Sequence, residues 1–346
     1  MVFGFELMGQ VQLDRKEVRS FPISDSGQLI VKNRYGFVQC NIWDQDSVKI
    51  VIEIMLNAKD DEDAEALLNS IRINYNVFVD MVESETIFGE SKQNFIKNYL
   101  SKIDPFKNNK VDVNYTIYMP SSIDIEIENK FGDVLLDSFT GDIDLEISYG
   151  DLRFDQISGK SDFELNYGKM VGKHLEDASL DLKNYELRLD SANEIDINST
   201  GSEVKIEVVN SGRVDLNRDE VEIESINSIK GKATLSDIEL NEVKEEIDLW
   251  MKNGSLTVDM FDEKVKRVDI REESSRIDLK IGKISFDLEA ELEGADLSVP
   301  NTVENINKEV LDEKRAHRKV SLEYGRGGTK VEFKLHGLKG KYTLVD

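Results

Sequence analysis

Apolar and polar residues alternate over most of this chain, in short runs of the kind that predict β-strands. The alternation is most regular from residue 123 onward, where Ile123, Ile125 and Ile127 are separated by acidic residues. Glycines recur there at a fixed interval of nine residues: Gly132, Gly141, Gly150, Gly159 and Gly168. Such an interval is typical of a chain that coils into stacked repeats.

Each nine-residue interval has room for a strand of about five residues and a turn of about four, so two intervals make one rung of about 18 residues. Stacked rungs pair their backbone groups with the rungs on either side, while the inward Ile, Leu and Val residues form continuous columns. We therefore predict an all-β fold with a single-stranded β-solenoid, similar to a β-helix or β-roll, over residues 121–300. The glycine at each joint is expected to supply a positive φ without steric cost.

The chain divides by pattern into three parts. Residues 1–120 are predicted to form an N-terminal β-rich region with one short helix, because acidic residues from Asp60 precede apolar residues at helical spacing up to Ser70. Residues 301–346 begin with a polar excursion and end in a strand pair. We expect this pair to cap the solenoid and cover its last edge.

Charge and cysteine content limit the partners and the chemistry. The 346 residues carry a net charge of −25, which disfavours nucleic acid as a partner. Cys40 is the single cysteine, so no intrachain disulfide forms, and its alternating neighbours predict a buried thiol. No apolar run reaches the length of a transmembrane segment. The segment Met1 to Gln10 lacks a basic start and is not expected to be an intact secretory signal.

Aromatic residues recur every 18 positions beside the turn glycines: Phe131, Tyr149, Tyr167 and Tyr185. In stacked rungs these side chains would line up as a ladder. An exposed ladder could hold sugar rings, since tyrosine offers an apolar face and a polar tip. A buried ladder would serve packing, which is the commoner role of stacked aromatics in repeats. Both roles remain open from the sequence.

Aspartates also recur at intervals of 18 residues, in the pairs Asp124 and Asp142, Asp133 and Asp151, and Asp137 and Asp155. Like charges on neighbouring strands repel, and divalent cations would relieve that repulsion. The turns lack the paired glycines of calcium-binding nonapeptides, so we expect solvated acidic faces and no metal site. The histidines lie far apart in sequence and no catalytic motif occurs, so neither a cofactor nor a catalytic residue is predicted.

The repeated Tyr/Phe-Gly-Asp turns, the turn at 33–36 followed by the segment 40–44, and the step at 118–120 resemble the “putative adhesin” family of bacterial β-solenoid proteins. The resemblance covers about residues 20–300. It implies a domain of unknown function that is exported to the cell envelope, the periplasm or the exterior, with no catalytic or cofactor residues.

These observations favour a non-enzymatic scaffold or adhesin-like protein of the cell envelope that presents sheet faces to a glycan, a surface polymer or a protein. One alternative is a β-helical carbohydrate-active enzyme, a polysaccharide lyase or hydrolase, whose site would leave no local motif. Another is a cytoplasmic structural protein that polymerises end to end. The sequence leaves the oligomeric state open.

Overall fold

The structure is a computed structural model that describes residues 11–58, 61–89, 111–282, 284–303, 306–325 and 330–346. Within these ranges the chain is all-β apart from one helix, and its strands form an open sheet arrangement. The chain forms two compact units, an N-terminal unit up to Gly168 and a C-terminal unit from Lys169. The prediction about Met1 to Gln10 falls outside the described residues.

The elements up to Phe154 are β1 (Val11–Pro22), β2 (Gln28–Arg34), β3 (Val38–Ile42), β4 (Ser47–Ala58), α1 (Asp61–Ser70), β5 (Ile71–Phe78), β6 (Met81–Phe88), β7 (Val111–Met119), β8 (Asp124–Lys130), β9 (Val134–Leu136), β10 (Ile143–Ser148) and β11 (Leu152–Phe154). The later elements are β12 (Gln156–Thr200), β13 (Glu203–Asn217), β14 (Glu220–Thr234), β15 (Asp237–Lys252), β16 (Ser255–Phe261), β17 (Arg267–Glu273), β18 (Arg276–Lys280), β19 (Phe286–Glu293), β20 (Asp296–Ser298), β21 (Asn307–Asp312), β22 (His317–Tyr324), β23 (Val331–Leu338) and β24 (Lys341–Val345).

Two ladders of strands build the N-terminal unit. One runs β5, β6, β2, β8, β10 and the start of β12, and all of its pairs except β5–β6 are parallel. The other runs β1, β4, β7, β3, β9 and β11, and it is parallel from β7 onward. Alternate residues point inward and are fully buried, as Leu29, Ile127 and Val134 illustrate. The apolar alternation therefore becomes the core of this unit.

The predicted helix is confirmed as α1 (Asp61–Ser70). Its buried Ala64 and Leu67 face the unit, and it packs on β1 and β4. Strand β1 was not predicted because it is an edge strand whose residues are largely exposed or half-buried, so its sequence lacks apolar alternation.

The turn glycines do not have the role that the sequence suggested, since Gly132, Gly141, Gly150 and Gly159 all lack a positive φ. A Cβ at Gly132 would instead overlap the carbonyl of Gly36, and each of the other three would meet a neighbouring backbone carbonyl in the same way. Positive φ belongs to the aromatic residue before the glycine: Phe131 has φ 61° and Tyr149 has φ 59°. Close approach of backbones, rather than turn conformation, is what requires glycine here.

The repeat length is not uniform along the chain. Strands β8, β10 and β12 pair in parallel at an offset of 18 residues, from Ile125 to Ile143 to Ser161. In the C-terminal unit the offset is 17 between β12, β13 and β14, where Val204 pairs with Val221. Between β14 and β15 it is 17 up to Ile226 and 18 from Ser228 onward, after a register shift. A single 18-residue rung over 121–300 is therefore not confirmed.

Two ladders also build the C-terminal unit, and the long strands β12, β13, β14 and β15 belong to both. The first contains β12, β13, β14, β15, β16, β18, β24 and β20, in that order. The second contains β12, β13, β14, β15, β17, β23, β19, β22 and β21. All pairs are parallel except β19–β22 and β22–β21.

The last two strands of the chain occupy interior positions in these ladders. Strand β23 lies between β17 and β19, and β24 lies between β18 and β20, so both are bonded on both sides. The strand pair that the sequence predicted as a cap, at residues 321–325 and 331–335, corresponds to β22 and β23, and it is not outermost. Instead, the segment expected to be a polar excursion supplies β21 and part of β22, which continue the second ladder beyond β19.

The close approach at the corners yields a first prediction. Replacing Gly132 by Ala should lower the free energy of unfolding by about 2 kcal/mol or more, because the added Cβ overlaps backbone rather than a movable side chain. Gly212 is the matched control, since a Cβ there lies 3.2 Å from the flexible end of Ile226. Urea denaturation of both variants is the measurement. Equal effects of the two substitutions would contradict the proposed cause.

Candidate functional site

Four aromatic side chains form a stacked column at one corner of the N-terminal unit. Tyr35 stacks on Phe131 with centroids 5.4 Å apart, Phe131 on Tyr149 at 5.2 Å, and Tyr149 on Tyr167 at 4.9 Å. Interplanar angles of 3–13° make the rings nearly parallel. We call these four residues the aromatic column. It brings together three of the four predicted ladder residues.

Tyr185 does not take the fourth predicted position. In the C-terminal unit the positive φ falls on Asn184, at 51°, one residue before Tyr185. The tyrosine side chain therefore points inward, is only 2% exposed, and donates its hydroxyl hydrogen bond to the Lys169 carbonyl at 3.3 Å. The 18-residue extrapolation fails because the step from Tyr167 to Asn184 is 17 residues long, one fewer than the steps from Phe131 to Tyr149 and from Tyr149 to Tyr167.

Tyr35 is the member of the column that sequence reasoning missed. Strand β2 pairs directly with β8 across a separation of 96 residues, which places Tyr35 beside Phe131. The signal was present, because the turn Asn33-Arg34-Tyr35-Gly36 matches Asn129-Lys130-Phe131-Gly132 in character. Arg34 adds a cation–π contact to both rings, with its guanidinium carbon 5.4 Å from the Tyr35 centroid and 6.0 Å from that of Phe131.

The column presents ring edges and phenol groups to solvent. Tyr149 is 42% exposed and Tyr167 is 49% exposed, whereas Tyr35 and Phe131 are half-buried. Because parallel rings cover one another, the faces between members of the column are occupied. A ligand that approaches the column from the side would therefore meet hydroxyl groups and ring edges.

Backbone hydrogen bonds hold the corner under the column. The amide of Phe131 donates to the Ser148 carbonyl and the amide of Tyr149 to the Asn166 carbonyl, each at 2.9 Å. Inside the corner, the Asn129 side-chain amide donates to the carbonyls of Gly36 and Gly132 at 3.0 and 2.8 Å. These bonds compensate for the cost of left-handed backbone at non-glycine residues.

The predicted aspartate pairs lie in register, but their carboxylates bond to backbone. Asp124 accepts the amide of Asp142 at 3.0 Å, and Asp133 accepts the amide of Asp151 at 2.9 Å. Asp137 accepts the amide of Ile42 at 2.9 Å. Among the described residues no group of three or more His, Cys, Asp or Glu side chains is arranged to hold a metal ion. The aspartates thus serve the joints between neighbouring strands.

A second set of carboxylates lies beside the aromatic column on the outward face of β8, β10 and β12. Two rows cross these strands in register: Glu126, Asp144 and Asp162, and Glu128, Glu146 and Glu164. Burial, followed by the charges of Asp162 and Glu126, raises the pKa of Asp144. Lys130 bridges Glu128 and Glu146 at 3.0 and 3.4 Å, and its hydrogen bond to Glu128 raises the pKa of Lys130. This face is strongly acidic.

Buried carboxylates hold the corresponding corner in the C-terminal unit. Asp219 is 4% exposed and accepts the Ser202 amide at 2.7 Å and the Ser199 hydroxyl at 2.9 Å. Glu272 accepts the amides of Ser275 and Gly340 at 2.9 and 3.1 Å. Burial raises the pKa of both carboxyls although these hydrogen bonds oppose the shift. Sequence reasoning missed both residues because an acidic residue between strands, like Asp219, or near the end of a strand, like Glu272, predicts an exposed position.

The groups that commonly carry catalysis are dispersed. Cys40 is buried as predicted, and burial, followed by the charge of Asp137, raises the pKa of its thiol to about 12. His174 contacts Ser191 and Glu176, and His317 contacts Glu291 at 2.9 Å.

In the part of the chain that the structure describes, no helix is both long and apolar enough to cross a membrane.

Comparison with known proteins adds little beyond a broad likeness. No protein-family model and no curated protein matches the chain. Among solved structures, a “putative cell adhesion protein” from Clostridium sporogenes is 12% identical over 96% of this chain and 99% of its own, with a TM-score of 0.23. A “putative adhesin” from Parabacteroides merdae is 11% identical over 96% and 97%, with a TM-score of 0.34. A “putative lipid binding protein” from Parabacteroides distasonis is 12% identical over 96% and 97%, with a TM-score of 0.23. At TM-scores this low the likeness does not establish a shared fold, and no property is transferred from these proteins.

The aromatic column yields a second prediction, in which two substitutions at Tyr149 separate stacking from backbone strain. Tyr149→Ala removes two stacking contacts but keeps a side chain at φ 59°, and should lower the free energy of unfolding by about 1–2 kcal/mol. Tyr149→Gly loses the same contacts but accepts that φ freely, and should be more stable than the alanine variant by about 1 kcal/mol. Chemical denaturation measures both values. A glycine variant less stable than the alanine variant would show that the positive φ is not strained.

The buried carboxylate Asp219 yields a third prediction, on pH dependence. Its pKa is raised in the folded state, so the folded chain retains the proton to higher pH than the unfolded chain does. The contribution of Asp219 to stability is therefore greatest below the ordinary carboxyl pKa and is lost as the pH rises through the raised value. Relative to wild type, Asp219→Asn should lose less stability as the pH rises from about 4, the ordinary pKa of an aspartate carboxyl.

Urea denaturation at intervals of pH from about 4 upward is the measurement. Asp215→Asn is the control, because Asp215 is half-exposed and pairs with Lys232 at 2.9 Å. Parallel stability–pH curves for wild type and Asp219→Asn would contradict the assignment.

Proposed function

We propose that this chain winds as a β-solenoid and acts as a non-enzymatic, adhesin-like scaffold of the bacterial cell envelope. In this proposal its sheet faces are presented to a glycan, a surface polymer or a protein. The observation that carries the proposal is the registered array of polar side chains on the outward faces. Adjacent strands repeat these side chains at the inter-strand spacing of about 4.8 Å, which suits a partner that is itself repetitive.

Side chains within the array hold one another in position. In the C-terminal unit Asn210 donates to Asn193 at 3.0 Å and Asn227 donates to Asn210 at 2.6 Å, each across 17 residues. Lys205 pairs with Glu203 and Glu222 at 3.2 and 3.3 Å. Surface pairs of this kind contribute little to stability, but they fix the direction of groups that would otherwise move. An ordered polar face reduces the entropy lost when a partner binds.

In the N-terminal unit the aromatic column offers the best contact for a glycan. Tyr149 and Tyr167 supply phenol hydroxyls and exposed ring edges, with acidic rows alongside that can accept hydrogen bonds from sugar hydroxyls. Tyr185 is not part of this surface because it is buried. The alternatives, a carbohydrate-active enzyme and a cytoplasmic polymer, stay predictions without a specific observation in their favour.

A glycan array probed with the whole chain tests this proposal. The double variant Tyr149→Ala/Tyr167→Ala should bind envelope glycans about 30-fold more weakly, because each exposed aromatic contributes about 1 kcal/mol and the two together about 2 kcal/mol. Leu235→Ala is the control, since Leu235 is 47% exposed and also has a positive φ. Unchanged binding by the double variant would remove the aromatic column from the proposed contact surface.

A further inference from the structure

The outward side of β23, β19, β22 and β21 in the C-terminal unit is concave. A cavity of about 360 Å³ lies on this face, and its polar lining includes Glu289, Glu291, Asn307, Glu309, Lys319 and His336. We call it the C-terminal groove. A register irregularity between Val310 and Asp312 interrupts the outermost strand, β21, and such irregularities bend a strand away from the flat sheet.

Strand register explains why these side chains converge. Glu289 of β19 lies opposite Lys334 of β23 and Ser321 of β22, and Ser321 lies opposite Asn307 of β21. One step further along the strands, Glu291 lies opposite His336 and Lys319, and Lys319 lies opposite Glu309. Two parallel rows of hydrogen-bonding groups, drawn from four strands, therefore face the groove. Each row contains both donors and acceptors.

The charged side chains of the groove fall into two groups, those with an ionic partner and those without one. In the groove, Glu291 is held by His317 at 2.9 Å and Lys334 by Glu332 at 2.7 Å. Glu289, Glu309 and Lys319 form no ion pair with any residue that the structure describes. Acceptors and a strong donor are thus left for a ligand.

The balance of charge identifies the class of ligand. The three glutamates Glu289, Glu291 and Glu309 and the two lysines Lys319 and Lys334 leave one net negative charge, three minus two, within a chain of net charge −25. An anionic ligand is therefore disfavoured. Each hydroxyl of a neutral sugar donates one hydrogen bond and accepts others, so neighbouring hydroxyls suit a carboxylate beside an ammonium group.

We propose that the C-terminal groove binds a neutral saccharide of one or two rings. Glu289 and Glu309 accept hydrogen bonds from its hydroxyls, Lys319 donates to its oxygens, and Asn307 and Ser321 do both. The cavity volume lies at the small end of the range for ligand sites, about 300–1,000 Å³, which limits the number of rings. This site uses none of the residues of the aromatic column and does not rest on the proposed function.

Calorimetric titration of the whole chain tests the inference. The probes are the neutral disaccharides lactose, maltose, cellobiose and chitobiose in its N-acetylated form, with glucuronate and galacturonate as the anionic arm. We expect at least one neutral disaccharide to bind with a saturable isotherm and the uronates to bind more weakly. Lys319→Met and Glu289→Gln should each weaken that binding about 10-fold through loss of a charge-assisted hydrogen bond.

Lys341→Met is the matched control, because Lys341 is an exposed lysine of β24 outside the groove, and it should leave the affinity unchanged. All three substitutions are at exposed positions, and thermal unfolding followed by circular dichroism verifies that the variants fold. The inference is overturned if no neutral probe saturates at millimolar concentration or if a uronate binds more tightly. It is equally overturned if both groove variants bind as the control does.

The groove and the aromatic column are distinguishable in these experiments. A loss confined to Tyr149→Ala/Tyr167→Ala supports the proposed contact surface of the N-terminal unit and contradicts the groove as the binding site for that probe. A loss confined to Lys319→Met and Glu289→Gln supports the groove alone.

Discussion

Everything in this fold depends on how closely the backbone of one turn approaches the backbone of the next. At each corner a residue takes a left-handed conformation, and its amide donates to a carbonyl of the neighbouring corner, as in Tyr149 to Asn166 and Arg218 to Thr234. The conformation costs free energy at any residue with a Cβ. It persists because it places the corner amide where the next strand needs a donor.

The two units satisfy the interior of the corner in different ways. In the N-terminal unit the residue after the left-handed one is glycine, and asparagine side chains such as that of Asn129 donate to the carbonyls that converge there. In the C-terminal unit the same position holds Ser202, Asp219 and Ser236, whose side-chain oxygens accept backbone amides from the adjacent turn. In one unit the glycine leaves room for backbones and asparagine amides to meet, and in the other a short polar side chain accepts the amide itself. Both arrangements pair the buried backbone groups.

The sequence revealed the features that depend on local patterns and missed those that depend on repeat length or on pairing between distant segments. Apolar alternation identified most strands, and acidic residues followed by apolar spacing identified α1, because burial patterns of this kind are local. A constant period placed Phe131, Tyr149 and Tyr167 in one column but failed at Tyr185, since deletion of one residue per repeat shifts every later side chain to the other face. Tyr35 and the C-terminal groove depend on pairings between distant segments, which no local pattern encodes.

Position within the sheet also separates outward side chains that are bonded to their neighbours from those that are available to a partner. Many outward side chains on the regular strands contact one another, as in the chain of amides from Asn193 to Asn227. Where the ladder changes from parallel to antiparallel at β19 and β22, that pairing is interrupted, and Glu289 and Lys319 face a concavity instead. An irregular junction of this kind presents a combination of side chains that the regular repeats do not have.

The interior position of β23 and β24 has a consequence for the order of folding. Strands β19 and β20 precede β23 and β24 in the chain, yet β23 and β24 lie between them and β17 and β18. The earlier strands must therefore leave a gap that the later strands enter, and the hydrogen-bond network of this region closes only when β23 and β24 insert. Pairing of Phe286–Glu293 with β17 before that insertion would be a kinetic trap, so the folding of this unit depends on long-range contacts that form slowly.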